Sequence, residues 1–179
     1  MTKELGRLAG IDLLPGKLHL AQSPSILRTI LGSCISLTFF SSRLGAGAMC
    51  HSIFPRLPKN GPAGFNPWDE HRYVDASIRY LARRFESLGA HRSELQIKVF
   101  GGADVLSITR VDGCRPTVGR MNCVAAAEVL AEEGFTIVAS DVGGTRGRKI
   151  QFDTSTGEVL VQRLNNSLQS ALLHRRTTK

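Results

Sequence analysis

The chain has 179 residues and a mass of 19.5 kDa, which fits one domain, and its 42% hydrophobic and 21% charged residues exclude a chain that is disordered throughout. No stretch approaches the roughly 20 consecutive apolar residues of a membrane-spanning helix, so no membrane insertion is expected. Lys and Arg number 23 against 15 Asp and Glu, and the resulting net charge of +8 suggests an acidic partner, either nucleic acid or an acidic protein surface.

The region from residue 18 to residue 54 predicts β-strands. The first segment is short and mostly apolar, the second is rich in β-branched and aromatic residues, and the third follows a turn-like segment. A Gly-Ser-Cys sequence between the first two predicts a tight turn or a kink in the backbone. The expected strands are residues 27–31, 35–40 and 46–54, with turns at residues 32–34 and 41–45.

The rest of the chain alternates helix and strand signals. Residues 55–67 contain four prolines and two glycines and predict a mobile loop. An amphipathic helix is then expected to end at Gly89, and a second helix is expected between Thr117 as N-cap and Gly134. The predicted helices are residues 69–88 and 118–133, and the predicted strands are residues 95–100, a buried strand at 135–140 and a hairpin of 148–152 with 158–164.

These elements predict a single α/β domain of the layered α+β type. Strands in hairpin-like succession with two inserted helices indicate that the sheet is not purely parallel, either one mixed β-sheet or two packed sheets. The two main helices are expected to cover the sheet.

The sequence has four cysteines, Cys34, Cys50, Cys114 and Cys123. The first 14 residues include acidic residues and no continuous apolar stretch, so no signal peptide is expected and a cytoplasmic location is the default. Because thiols stay reduced in the cytoplasm, the cysteines are expected to be core residues, a nucleophile or metal ligands rather than disulfides. None has the C-x-x-C spacing, which argues against a structural zinc site.

One cysteine has the local sequence of a reactive thiol. Cys34 follows Gly32 and Ser33 at a predicted turn, where a sharp bend can expose its sulfur at the edge of the sheet. His51 lies on the next predicted strand, and an imidazole close to the thiol can take its proton to give the nucleophilic thiolate. If the two strands pair as a hairpin, His51 can meet Cys34, while strand alternation turns Cys50 toward the core.

The simpler interpretation makes Cys34 a buried small hydrophobic residue and His51 a surface or capped histidine. One Cys and one His in the same chain are weak evidence for a catalytic pair. The residues alone therefore leave both interpretations open.

Longer motifs favour the catalytic interpretation. Leu-Gly-Ser-Cys occupies residues 31–34, Gly-Ala-Met-Cys-His occupies residues 47–51, and further motifs follow in order at residues 73–75, 98–103 and 141–149. In sequence and order these motifs resemble the chemoreceptor glutamine deamidases of bacterial and archaeal chemotaxis, the CheD family. The resemblance spans residues 14–164. It implies a deamidase domain at residues 1–165. The more polar pattern from residue 165 onward separately predicts a basic, flexible tail or a weak terminal helix at residues 166–179.

The resemblance implies three catalytic residues. In the family, the cysteine of the Gly-Ser-Cys motif is the nucleophile and the histidine of the second motif is its base, which implies these roles for Cys34 and His51. A threonine shortly before the cysteine orients the histidine, and Thr29 is the candidate here. In some family members the threonine lies one position earlier, where this sequence has Arg28.

The implied reaction is acyl transfer, which makes the chain a protein-glutamine glutaminase. Cys34 would attack the carboxamide of a receptor glutamine, backbone N–H groups around Gly32 and Ser33 would hold the oxyanion, and His51 would protonate ammonia and activate water. The product is glutamate, and a glutamate methyl ester has the same carbonyl geometry, so methylesterase side activity is also implied. The resemblance implies methyl-accepting chemotaxis receptors as the substrates, and it implies neither a cofactor nor a metal. As an alternative, the chain is a non-catalytic binding module that regulates a CheC-type phosphatase.

Two glycine-rich segments, residues 101–103 and 143–147, match neither the P-loop nor the dinucleotide-binding pattern. They are interpreted as tight turns at strand ends, with Arg146 and Arg148 either solvated or in contact with substrate. Cys114 and Cys123 have no evident role, and Cys123 is expected to pack in the core.

A basic nucleic-acid-binding domain is a further alternative. Aromatic residues make up only 6% of the chain and the basic residues are scattered, whereas such a domain needs a clustered basic face. No nucleic-acid partner is therefore expected, and the positive charge favours attraction to an acidic protein surface.

Overall fold

In the computed structural model, two β-sheets lie face to face, and two helices cover the outer face of one of them. The structure describes residues 10–59, 66–105 and 116–164. The strands are Gly10–Asp12 (β1), Leu18–Ala21 (β2), Ile26–Leu31 (β3), Ile35–Ser41 (β4), Ala46–Cys50 (β5), Gln96–Gly101 (β6), Ile137–Val142 (β7), Arg148–Asp153 (β8) and Val159–Arg163 (β9). One sheet has the order β1-β3-β8-β9 and the other β2-β5-β4-β6-β7. Both sheets mix parallel and antiparallel pairs. The predicted layered fold is confirmed.

The helices are Val74–Ser87 (α1) and Val118–Glu132 (α2), with 3-10 helices at Pro67–Arg72 and Arg92–Glu94. Thr117 is the N-cap of α2, as predicted, and its hydroxyl accepts a hydrogen bond from the Arg120 N–H at 3.2 Å. Gly89 and Gly134 follow the helix ends with φ of 83° and 74°, as expected for glycine at such positions. Among the described helices, none is long and apolar enough to cross a membrane.

Strand alternation separates two hydrophobic clusters. On β4, Leu37 and Phe39 face the helices, and the Phe39 ring stacks on Phe85 of α1 with centroids 6.1 Å apart. Phe40 faces the other sheet, where it joins Phe152 of β8 in the second cluster. The region between the sheets is therefore a second core, and the residues discussed below lie at one end of it.

The first helix begins later than residue 69, the predicted start. Tyr73 is extended (φ −105°, ψ 135°) because it bridges to Phe54, and it separates the 3-10 helix from α1. The N–H groups of Ile53 and Phe54 both donate to the Arg72 carbonyl, at 2.7 and 2.8 Å. Tertiary pairing with the segment after β5 thus overrides the helical pattern of the sequence.

The prediction that residues 135–140 form a buried strand is wrong in two respects. The strand is Ile137–Val142, and it lies at the edge of its sheet with β6 as its neighbour, so Val138 is 53% exposed. An apolar run indicates a strand but does not say whether that strand is central or at an edge. The predicted third strand also ends early, at Cys50, and only isolated bridges follow it.

Several predicted segments fall at least partly outside the described residues. They are the middle of the 55–67 loop, Cys114, and the tail at residues 166–179.

Candidate active site

The β4–β5 hairpin places Cys34 and His51 on one face. The strands pair through a turn at residues 42–45, and an antiparallel bridge between Ile35 and Ser52 extends the same register, with N–H to carbonyl distances of 3.0 and 2.8 Å. In this register His51 is opposite Ser36. Cys34 is the diagonal neighbour of His51 and lies on the same face. The hairpin predicted from the sequence is confirmed, and so is the burial of Cys50 in the helix-side cluster.

A hydrogen bond between the two sheets orients the His51 ring. Thr29 is 5% exposed on β3, and its Oγ1 lies 2.7 Å from His51 Nδ1 and 2.8 Å from the Leu13 carbonyl oxygen. A carbonyl can only accept, so the hydroxyl donates to Leu13 and accepts from Nδ1–H. This assignment places the ring proton on Nδ1 and leaves Nε2 with the lone pair.

The contact also distinguishes the two threonine positions found in the family. Arg28 has its side chain on the opposite face of β3, where its Nε lies 3.0 Å from the Asp12 carboxylate. Thr29, and not the preceding position, contacts His51.

The three carbonyl groups of the Gly-Ser-Cys turn are each held from outside the turn. The carbonyl of Gly32 accepts from the Ala103 N–H at 2.8 Å, and that of Cys34 accepts from the Gly102 N–H at 2.8 Å. The Ser33 carbonyl accepts from the Asn122 side chain at 2.9 Å. In a planar trans peptide the C=O and the following N–H point in opposite directions, so these bonds also determine where the N–H groups of residues 33 and 34 point.

The close approach requires glycine at the end of β6. Gly101 has φ of 112°, and a Cβ there would overlap the Cys34 carbonyl oxygen. Gly102 has φ of 65°, and a Cβ there would overlap the Cys123 sulfur. The predicted turn at this strand end is confirmed, and it directly supports the cysteine turn.

Among the described residues, the other two cysteines lie in less reactive surroundings. Burial raises the pKa of the Cys50 thiol, which is fully enclosed in the helix-side cluster. Burial also raises the pKa of the half-buried Cys123 thiol, which packs against the same cluster, as predicted. Both thiols therefore carry less thiolate at neutral pH than an ordinary cysteine.

Arg148 is buried rather than solvated, so the first of its two sequence interpretations is wrong. Its side chain is 3% exposed. Its guanidinium donates to the Asp141 carboxylate at 3.0 Å and to the carbonyl oxygens of Asp141 and Gly143. It holds the turn after β7, whereas Arg146 on that turn is exposed.

Sequence reasoning missed two groups that contact the site residues. The Leu13 carbonyl is a backbone group and has no side-chain signal. Asn122 has one, because it is a polar residue on a helix face that also carries the buried Ala125, Ala126 and Val129.

Comparison with known proteins identifies the family of the chain. The family described as "CheD chemotactic sensory transduction" matches residues 57–163, more than half of the chain. A Geobacter sulfurreducens protein named "Probable chemoreceptor glutamine deamidase CheD 2" is 43% identical, and the alignment covers 93% of this chain and 98% of the relative. The chain belongs to the CheD family.

Other relatives carry the same description, "Probable chemoreceptor glutamine deamidase CheD". The protein from Maridesulfovibrio salexigens is 36% identical over 94% of this chain and 99% of the relative. The protein from Sulfurimonas denitrificans is 34% identical over 82% of this chain and 88% of the relative. The Geobacter sulfurreducens alignment is long enough to include Thr29, Cys34 and His51, although the family match begins after them.

Proposed function

We propose that this protein deamidates glutamine side chains of methyl-accepting chemotaxis receptors. The observation that carries the proposal is the placement of Cys34 and His51 on one face of a hairpin, with the His51 ring oriented by Thr29. Membership of the CheD family and the names of the relatives support the same substrate. The cytoplasm is the proposed location, because the signalling helices of chemoreceptors lie there.

Cys34 is the proposed nucleophile and His51 the proposed base. His51 Nε2 takes the thiol proton, and the thiolate attacks the carboxamide carbon of glutamine to form a tetrahedral oxyanion. The C–N bond then breaks as the imidazolium protonates the departing nitrogen, which releases ammonia and leaves a thioester. His51 next removes a proton from water, the resulting hydroxide attacks the thioester, and the C–S bond breaks to give glutamate.

The oxyanion would be held by the N–H groups of the turn formed by Gly32, Ser33 and Cys34. The external hydrogen bonds to the turn's carbonyls support this role, because donors that are oriented before the reaction need no rearrangement during it. A glutamate methyl ester offers the same carbonyl to the same groups, so methylesterase side activity is part of the proposal.

The direct test uses cytoplasmic fragments of chemoreceptors. We expect incubation with the purified protein to convert specific glutamines to glutamates, which peptide mass spectrometry detects as a mass increase and ammonia release confirms. A fragment with those glutamines replaced by alanine is the control. No conversion, together with faster dephosphorylation of a response regulator by a CheC-type phosphatase, would instead support the binding-module alternative.

Thr29→Val is expected to lower deamidation about 10- to 100-fold, because the His51 Nδ1–H loses its acceptor at 2.7 Å and keeps only the Leu13 carbonyl oxygen, 3.5 Å away, so the ring is held less firmly in one tautomer. Thr29→Ser keeps the hydroxyl and is expected to restore most of the rate. The measurement is kcat on the receptor fragment, with the melting temperature of each variant recorded. Equal rates for the valine and serine variants would contradict the orienting role.

A further inference from the structure

Asn122 on α2 connects the cysteine turn to the segment that follows His51. It is fully buried, and its Nδ2 lies 2.9 Å from the Ser33 carbonyl oxygen and 2.9 Å from the Ile53 carbonyl oxygen. Because both partners are acceptors, the NH₂ end of the amide must face them. The Oδ1 atom is buried and has no hydrogen-bond partner in the described part of the chain.

An unsatisfied buried acceptor costs stability, so this asymmetric arrangement needs an explanation. The two hydrogen bonds that Asn122 donates provide that explanation. They connect Ser33, the residue before the nucleophile, to Ile53, two positions after the base, and helix α2 supports both.

The bond to Ser33 acts on the peptide group that contains the Cys34 N–H. The C=O of Ser33 and the N–H of Cys34 belong to one planar group, so holding the oxygen also aims the N–H in the opposite direction. A hydrogen bond to the oxygen further polarises the group and makes its N–H a stronger donor.

We infer that Asn122 is a positioning residue that holds the Cys34 N–H as an oxyanion donor for acyl transfer. It touches neither substrate nor reacting atoms and acts through the Ser33–Cys34 peptide. The inference rests on the proposed function only in that Cys34 performs acyl transfer.

Two reactions at the Cys34 sulfur distinguish a role of Asn122 in oxyanion binding from a general effect on the fold or on the thiol. Iodoacetamide alkylates the thiolate by displacement of iodide, and no oxyanion forms. p-Nitrophenyl acetate acylates it through a tetrahedral oxyanion, forming a thioester and releasing p-nitrophenolate. We expect Asn122→Ala to slow acylation roughly 10- to 100-fold, less than the roughly 10²- to 10³-fold cost of removing an oxyanion donor, because the Cys34 N–H is misplaced rather than lost. We expect its alkylation rate to stay within about twofold of wild type, because the thiolate itself is unchanged.

Thr154→Val is the matched control. Thr154 is buried and its hydroxyl accepts from the Ser25 N–H at 3.0 Å, at the opposite end of β3 from the cysteine turn. We expect this variant to lose stability with both reaction rates unchanged. Should Asn122→Ala not fold, Asn122→Ser leaves a smaller cavity and allows the same two measurements.

An unchanged acylation rate in the Asn122 variant, or a parallel fall of acylation and alkylation, would overturn the inference. The outcome is independent of the receptor substrate. A wild-type protein that is acylated by the ester but does not deamidate receptor fragments would contradict the proposed function, while the ratio of the two rates would still decide the role of Asn122.

Discussion

Cys34→Ala is expected to lower deamidation of receptor fragments by about 10⁴-fold or more, because no other described thiol shares a face with His51 and removing a nucleophile eliminates the covalent route. The side chain is only half-buried and the carbonyls of its turn are held by Ala103, Gly102 and Asn122. The backbone is therefore expected to keep its position in the variant. Peptide mass spectrometry of glutamate formation measures the effect.

Cys50→Ala is the matched control for the loss of a thiol. Cys50 faces the helix-side cluster, so its replacement is expected to cost about 1 kcal/mol of unfolding free energy and to leave deamidation near the wild-type rate. Iodoacetamide should modify Cys34 before Cys50 and Cys123, whose raised pKa values lower their thiolate fractions at neutral pH. A Cys34→Ala protein that remains active would show that another group is the nucleophile.

Local pattern is sufficient to predict the hairpin part of the site. Alternation along β4 and β5, with a turn between them, determines that Cys34 and His51 share a face while Cys50 lies on the other. These relations involve neighbouring strands of one sheet, and strand periodicity controls them. The family resemblance added the roles, which composition and spacing had left open.

The contact of Thr29 with His51 depends on how two sheets face each other. Thr29 belongs to β3, whose sheet contains neither β4 nor β5, so alternation shows only that Thr29 and Arg28 point in opposite directions. Which of the two residues contacts His51 depends on how the two sheets pack against each other. The same packing places the Leu13 carbonyl where it accepts the hydrogen bond from the Thr29 hydroxyl.

Arg148 and Asn122 show a second limit of sequence reasoning. Each is polar in sequence but buried in the fold, and each bonds mainly to backbone carbonyls. Carbonyl groups are the same in every residue, so the sequence does not reveal such partners. The sequence also does not reveal that β7 is an exposed edge strand, because the order of strands is a property of the whole sheet.

His51→Gln is expected to lower deamidation by about 10²- to 10⁴-fold, the usual contribution of a general acid and base. The glutamine amide is not basic, so it cannot take the thiol proton. Alkylation of Cys34 by iodoacetamide should therefore become rapid only at more alkaline pH than in the wild type, because the thiol must then ionise without a base.

His71→Gln provides the control for replacing a partly buried histidine. The His71 ring packs on Tyr80 with centroids 4.5 Å apart, and its replacement should leave the pH dependence of Cys34 alkylation unchanged. If the His51 variant lost deamidation but kept the wild-type alkylation profile, His51 would serve only as the acid that protonates ammonia, and another group would activate the thiol. A shifted profile together with the loss of activity would assign both proton transfers to the one imidazole that Thr29 orients.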